Sequence, residues 1–546
     1  MTWGRDFESP LPVVAALFAI IDPCFRSGLT QELAHRGGQV PMHVSFRPDL
    51  RRIIDCLPLN LTRDRGCRQA VQRCTLRTSV RWLAWLLVPI ALAAADWPQF
   101  RGPNGSGVSR SKGLPERFDA RKNLVWRTAL PAGHSSPVFT AEHIFVTAFE
   151  GKVLQTLCLD RESGRILWRR QAPRDRQEAF QETNGPASPS PVTDGVNVYV
   201  FFGDFGLLSY GPDGKERWRL PMGPFNNPNG HGSSPILADG KLVLICDQDT
   251  GSYLLAVDLA SGRVIWKTMR PECTRGYATP AVYRPKSGPA ELIVPGSFQL
   301  ASYAVETGQK LWWVSGLAWQ PKTVPIVDHD RIIVNGWEIG GGGKAVAFAE
   351  ALAVYDKDHD GKLSRSEMAA SRNAEWFADN DLNHDGYIDE REWGFYQALN
   401  TADNCLIAIR GGGRGDVTKS HVLWRYRKAL PNTSSPLLYQ GVIYLVRDGI
   451  FTSLNPDNGE IFKQGRLTGA LGRYWSSPVA ADGKLFIVSE DGKVVVMRAA
   501  PDWDILAINN LDEDVFATPA ILDGRIYVRT RGALYCFANG GRKNTD

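Results

Sequence analysis

Two twelve-residue stretches carry oxygen-bearing side chains at alternating positions. In DKDHDGKLSRSE, Asp356, Asp358, Asp360, the carbonyl of Lys362, Ser364 and Glu367 occupy positions one, three, five, seven, nine and twelve. In DLNHDGYIDERE the same positions hold Asp381, Asn383, Asp385, the carbonyl of Tyr387, Asp389 and Glu392. A hard divalent cation takes six to eight oxygens, which alternate inward-pointing side chains and a bidentate carboxylate at position twelve supply. Gly361 and Gly386 at position six permit the sharp turn. One such stretch would also fit a solvated acidic turn, whereas two complete matches in tandem point to calcium.

The spacing is that of an EF-hand pair, compressed so that only Met368 to Asn380 separate the loops. This predicts a single helix that leaves the first loop and leads into the second. Leu363 and Ile388 are placed to pair across the loops. For a module outside the cell, affinity on the order of 10⁻⁴ to 10⁻³ M and a structural role are expected.

The elements around the pair are of another kind. A Ser/Thr-rich step into proline followed by an apolar strand recurs at Pro137, Pro191, Pro235, Pro280, Pro325, Pro436, Pro478 and Pro519, with spacings of 54, 44, 45, 45, 111, 42 and 41. Each unit continues through turns such as ADGK and strands such as YLLAVD to endings such as SGRVIW. Four short strands per 40 to 45 residues is the pattern of a propeller blade, and eight steps predict eight blades. The fold class is all-β: an eight-bladed β-propeller with a small helical insertion. The strand around Trp126 precedes any inner strand and the chain lacks a final Trp strand, so the N-terminal strand is expected to close the last blade and remove an exposed edge. The tryptophans are expected between blades; Lys463 replaces one, leaving the outer strands of blades six and seven the least regular. The spacing of 111 exceeds a normal blade by about 66 residues. The calcium-type pair, residues 344–403, is therefore inserted between strands two and three of the fifth blade, over the face where the inner strands begin.

Residues leading into the inner strands should line the central mouth on that face. They include His134, His231, Arg275, Tyr277, Lys322, Arg473 and Trp475, with Asn432, Tyr474 and Phe516. Cations beside flat aromatics suit a small anionic, planar ligand, held by charge-assisted hydrogen bonds and stacking. Ordinary polar mouth residues with water between them fit the same pattern.

The units DLASGRVIW and SSPILADGKLVL resemble the pyrroloquinoline-quinone-type (PQQ-like) β-propeller repeat. DWPQFRGPNGSGVS, GDFGLLSYGPDGKERW and AIRGGGRGDVTKSHVLWRY are similar to exported bacterial propellers of that type. The resemblance spans about residues 96–546. It implies either a non-catalytic binding or scaffold module of the cell envelope or a PQQ-dependent oxidoreductase acting on an alcohol or sugar. The quinoprotein alcohol dehydrogenases stack the cofactor on a disulfide between adjacent cysteines, and no such pair occurs here, so PQQ is possible but not favoured. Catalysis is left open, leaning against.

Residues 77–95 read as a signal peptide, with Arg77 and Arg81 before an apolar run ending in Ala93-Ala94-Ala95. The run is about 14 residues, short of a spanning helix. The chain is thus expected in the periplasm or secreted, with no stable membrane span after cleavage. Residues 1–76 read as a non-native or disordered upstream segment, 96–122 as an N-terminal extension and 123–546 as the propeller. Lys plus Arg and Asp plus Glu number 12 and 7 in residues 1–95 and 51 each in residues 96–546, which gives no case for nucleic acid. Cys158 and Cys536 fall where Ala256 stands in another unit, as small core residues. A monomer is expected, whose partner is an unidentified envelope protein or the small ligand.

Overall fold

In the computed structural model, residues 97–336, 346–369, 371 and 374–541 are described. The expectations for residues 1–76 and the 77–95 signal lie outside them. Eight antiparallel blades of four strands form the propeller, the fourth extended at its outer edge by Gly415–Asp416, which pairs in parallel. The third is representative: Ile236–Ala238, Lys241–Cys246, Tyr253–Asp258 and Val264–Met269, each paired to the next. Leu124–Ala129 pairs with Ala533–Ala538 and completes the eighth blade, Trp126 lying opposite Cys536. The fifth blade runs Ile326–Asp328, Arg331–Asn335, Leu406–Arg410 and Val422–Tyr426, so the insertion does separate its second and third strands. Outer strands form in blades six and seven as well, at Ile461–Arg466 and Asp504–Asn510.

The Gly…Trp spacing has a packing cause. Gly164, Gly214, Gly262, Gly308 and Gly459 lie against Trp126, Trp168, Trp218, Trp266 and Trp424 of the preceding blade, where a Cβ would come within 2.5 to 2.8 Å of the ring. All five glycines also have positive φ, so a side chain is excluded twice over. Four of these indoles donate to carbonyls of the next blade, as Trp168 Nε1 does to Pro212 O at 2.9 Å. At the irregular position, Lys463 lies over Trp503, its ammonium 4.3 Å from the ring centroid, and donates to the Trp503 carbonyl. The five described cysteines are free and buried.

The residue before each repeated proline stitches the ring. The backbone N–H of Ser136 donates to Ser190 Oγ, Ser190 to Ser234, Ser234 to Thr279, Val324 to Ser435, Ser435 to Ser477, Ser477 to Thr518 and Thr518 back to Ser136, all at 2.9 to 3.1 Å. The circle lacks one link because Val324 has no hydroxyl to offer Thr279.

The extension closes the far end of the inner strands. Trp97 O accepts from Phe139 N and Pro98 O from Thr193 N, Asn104 bonds Val282 in both directions, and Gly107 and Ser109 pair with Ala480. Arg101 donates to the carbonyls of Gly105, Ser435 and Pro436. Five blades are thereby bonded to one short segment, which crosses the axis.

Among the described residues the insertion holds four α-helices: α1 (Phe348–Tyr355), α2 (Arg365–Met368), α3 (Phe377–Asn380) and α4 (Glu390–Thr401). Ala351, Leu363, Met368, Phe377, Ile388 and Trp393 form its own core. The expected single connecting helix is corrected: α2 and α3 are separate short helices. The pairing of Leu363 with Ile388 and Ser364 with Tyr387 needs both loops side by side, and two independent short helices allow that where one continuous rod would hold them apart.

Candidate functional site

Within the insertion, position nine caps the outgoing helix and position twelve is the third residue of that helix. Ser364 and Glu367 form a reciprocal capping box, as do Asp389 and Glu392. The box turns each glutamate back toward its loop. Oxygen atoms of Asp356, Asp358 and Glu367 lie within 4.8 Å of one another. Asp356 Oδ1 is buried with no hydrogen-bond partner, while Oδ2 accepts from Gly361 N. Ser364 N–H and hydroxyl, with Lys357 N–H, hold the Glu367 carboxyl down to about 2. A buried unpaired carboxylate oxygen facing two further carboxylates fits a hard cation.

The second loop has the same turn and the same carboxylate-to-amide bonds, with a more deeply buried glutamate at position twelve. Asp381 accepts from Asp385 N and Gly386 N, and Glu392 accepts from Leu382 N, Asn383 N and Asp389 N. Glu392 is buried, which pushes its carboxyl up. Lys362 Nζ of the first loop lies 3.8 Å from Asp385 Oδ2. Oxygen donors are present at every position, so the chemistry fits calcium here too, with carboxylates turned onto the loop's own amides.

This second loop is fastened to the ring. Arg275, at the rim, makes a two-pronged pair with buried Asp249 at 2.5 and 3.0 Å and reaches Asp379 of α3 at 3.1 Å. Its guanidinium also lies 5.4 Å from the Trp319 ring. Asn226 Nδ2 donates to Leu382 O at 3.0 Å, Arg391 to Pro271 O at 3.4 Å, and Phe395 meets Phe298 at 6.2 Å. Next to Asn226, Asn227 Oδ1 accepts from Tyr277 OH, which in turn accepts from Asn229.

Tyr277 is a wall of the axial cup, a cavity of about 490 Å³. His134, Lys322, Asn432, Trp475 and Phe516 line it as well, with Phe100 of the extension and six of the seven ring hydroxyls. His134 stacks on Phe516 at 4.3 Å, and burial, with Arg529 nearby, pulls its imidazole down to about 4, so it is neutral at physiological pH. Lys322 Nζ donates to Asn432 Oδ1 at 2.9 Å. Trp475 Nε1 is buried without a partner.

The mouth expected from sequence is therefore brought together in part: His134, Tyr277, Lys322 and Trp475 line the cup, whereas His231, Arg275 and Arg473 do not. His231 is turned into an aromatic nest, 4.2 Å from Phe225 and 5.4 Å from Phe201, and burial pulls it down to about 4. Arg275 is drawn sideways by Asp249. Arg473 is exposed to solvent. Sequence reading missed Phe100 and the hydroxyl crown; the Ser or Thr before almost every repeated proline was the available signal for the crown.

Residues 118–283 match the family described as outer membrane protein assembly factor BamB, and residues 348–370 and 374–395 match the EF hand. The match to the ring covers residues 118–283, and the insert is an EF-hand pair. A search of curated proteins finds no match. Among solved structures, the chain is similar to a quinohemoprotein alcohol dehydrogenase from Pseudomonas putida HK5, with TM-score 0.53 and 12% identity over 82% of this chain and 81% of that one. It is also similar to a europium-containing methanol dehydrogenase, with TM-score 0.51 and 10% identity over 82% and 98%. BamB from Moraxella catarrhalis aligns at TM-score 0.47 and 12% identity over 76% and 99%. At these identities the likeness is one of fold. No described helix is long and apolar enough to cross a membrane.

Proposed function

We propose that this protein is an exported calcium-binding propeller that serves as a binding or scaffold module of the cell envelope, with calcium stiffening the mouth of an axial ligand cup. The observation that carries this reading is the fastening of the second EF-hand loop to the rim, through Arg275 and Asn226, one residue away from the network that holds Tyr277. Asp381, Asn383, Asp385, Asp389, Glu392 and the Tyr387 carbonyl would hold the ion there, and Asp356, Asp358, Asp360, Ser364, Glu367 and the Lys362 carbonyl would hold one in the first loop. Each ion supplies a fixed positive centre toward which loop oxygens converge. The ring supplies the rest: a closed wall, a plugged floor and aromatic faces around a volume in the range of small-molecule sites.

The oxidoreductase reading finds less support. A quinone site of the dehydrogenase kind would need a carboxylate near the cofactor and a stacking platform of paired cysteines. Among the described residues no carboxylate and no cysteine lines the cup. The residues present do not fit that cofactor.

The test is a calcium titration by calorimetry on the protein, followed by absorbance and dye-linked alcohol or sugar oxidation after incubation with calcium and PQQ. Calcium binding in the 10⁻⁴ to 10⁻³ M range without a stoichiometric quinone band agrees with the proposal. Retained quinone with turnover overturns it in favour of an oxidoreductase.

A further inference from the structure

Blades four and five end differently at the outside of the ring. The outermost strand of blade four, Lys310–Ser315, carries an added segment, Gly415–Asp416, which lies parallel to it. Trp313 O accepts from Val417 N at 2.9 Å and Ser315 N donates to Thr418 Oγ1 at 2.9 Å. That segment belongs to the connection between the third and fourth strands of blade five. The corresponding outer strand of blade five, Val422–Tyr426, is paired on one side, and among the described residues no strand lies along its other edge. Its register repeats that of blade four, Trp424 standing opposite Ala408 as Trp312 does opposite Ser302, with a register shift at the same point. Arg425 and Arg427 thus occupy the places from which Trp313 and Ser315 bond the added segment. Backbone groups left along a sheet edge are a template for a further strand.

The side chains on this edge decide which strand can add. Leu423, Arg425 and Arg427 are exposed and alternate with buried Trp424 and Tyr426, which places them on one face. Leu423 is 46% exposed, and with Lys419, Arg425 and Arg427 it lines an open groove of about 610 Å³. Residues 403–428 hold six Lys or Arg against two acids, Asp403 and Asp416, although charges balance over residues 96–546 as a whole. Asp403 is shared between Arg425 at 3.1 Å and Arg427 at 2.7 Å, while among the described residues Arg410, Lys419 and Lys428 form no ion pair. Such an edge rejects a basic strand and admits an acidic one, because like charges brought opposite each other across a strand pair are destabilising and opposite charges favourable.

We propose that the outer edge of blade five docks an extended acidic segment of a partner protein by strand addition, in the way that Gly415–Asp416 adds to blade four. An apolar residue of that segment lies against Leu423, and carboxylates at alternate positions meet Arg425, Arg427 and Lys419. The surface is on the outside of the ring, so the assignment rests on neither the cup nor the calcium sites.

The test is fluorescence anisotropy of a labelled peptide, acetyl-Thr-Val-Thr-Glu-Thr-Glu-Thr-amide, titrated with the calcium-loaded full chain. As a strand this peptide sets one apolar and two acidic residues on one face. It is expected to bind at least about tenfold tighter than its Gln counterpart, and at least about tenfold tighter than a version with methylated backbone amides that keeps the charges. Leu423→Asp and Lys419→Glu, both at exposed positions, should each weaken binding about threefold or more, and Lys152→Glu, exposed on blade one, should leave it within about twofold. Should an edge variant fail to fold, the three peptides on the wild type still decide. Absence of binding, binding that survives amide methylation, or binding indifferent to both edge substitutions overturns strand addition here. Preference for phosphatidylglycerol vesicles over the peptide, or self-association that Lys419→Glu abolishes, overturns it as well and gives the edge to a membrane or to a second copy. In each case the calcium and cup readings stand.

Discussion

The two EF-hand loops share a sequence pattern and differ in what surrounds them. In the first, Asp356, Asp358 and Glu367 converge and one oxygen of Asp356 is unpaired, yet among the described residues no hydrogen bond or ion pair joins α1, this loop or α2 to the ring. In the second, whose carboxylates accept loop amides as those of the first do, Asp379, Leu382, Arg391 and Phe395 all touch the propeller. One loop is better set for an ion, and the other is better set to transmit its effect. A metal-binding pattern in sequence specifies the ligands but not the mechanical connection, which comes from the outer surface of the flanking helices.

The comparison can be broken most forcefully at the anchor. Arg275→Met leaves Asp249 buried and unpaired and should cost about 3–5 kcal/mol of stability by chemical denaturation, the scale for removing one partner of a buried pair. An effect within experimental error would mean that the rim does not depend on this arginine.

Next in size is the ion itself. With dissociation constants of 10⁻⁴ to 10⁻³ M, 10 mM calcium should stabilise the propeller by about 1.5–3 kcal/mol through the second loop. Glu392→Gln should abolish that gain in thermal unfolding and Glu367→Gln should keep most of it. The reverse order would invert the roles given to the loops.

Asp379→Ala removes only a half-exposed contact to Arg275, so it should cost less than about 1 kcal/mol while weakening the calcium effect on the rim. Lys362→Ala, which takes a cation 3.8 Å from Asp385, should change stability by less than about 0.5 kcal/mol. It should raise calcium affinity at the second loop slightly, seen by calorimetry.

Much of the ring was legible in sequence because its constraints are local and repeated. Pro137 and its counterparts mark each inner strand, and the Gly…Trp endings are forced by the contact of one blade with the next. The insertion stood out as the one unit of abnormal length. What escaped was long-range or directional. Arg101 meets Ser435 across more than three hundred residues, and nothing local to either announces the contact. His231 and Arg275 stand at the expected positions before their prolines, but a position does not say which way a side chain turns. Phe201 and Phe225 claim the first and Asp249 the second. The connection between the loops was misread because thirteen residues fit one helix, while the pairing of Leu363 with Ile388 is satisfied by two.

The most direct measurement is hydrogen exchange of residues 226–230 and 274–279 with and without calcium, in the wild type, Glu392→Gln and Glu367→Gln. The account predicts that calcium slows exchange there in the wild type and Glu367→Gln and has no effect in Glu392→Gln. Protection that survives Glu392→Gln, or that disappears with Glu367→Gln alone, would contradict it.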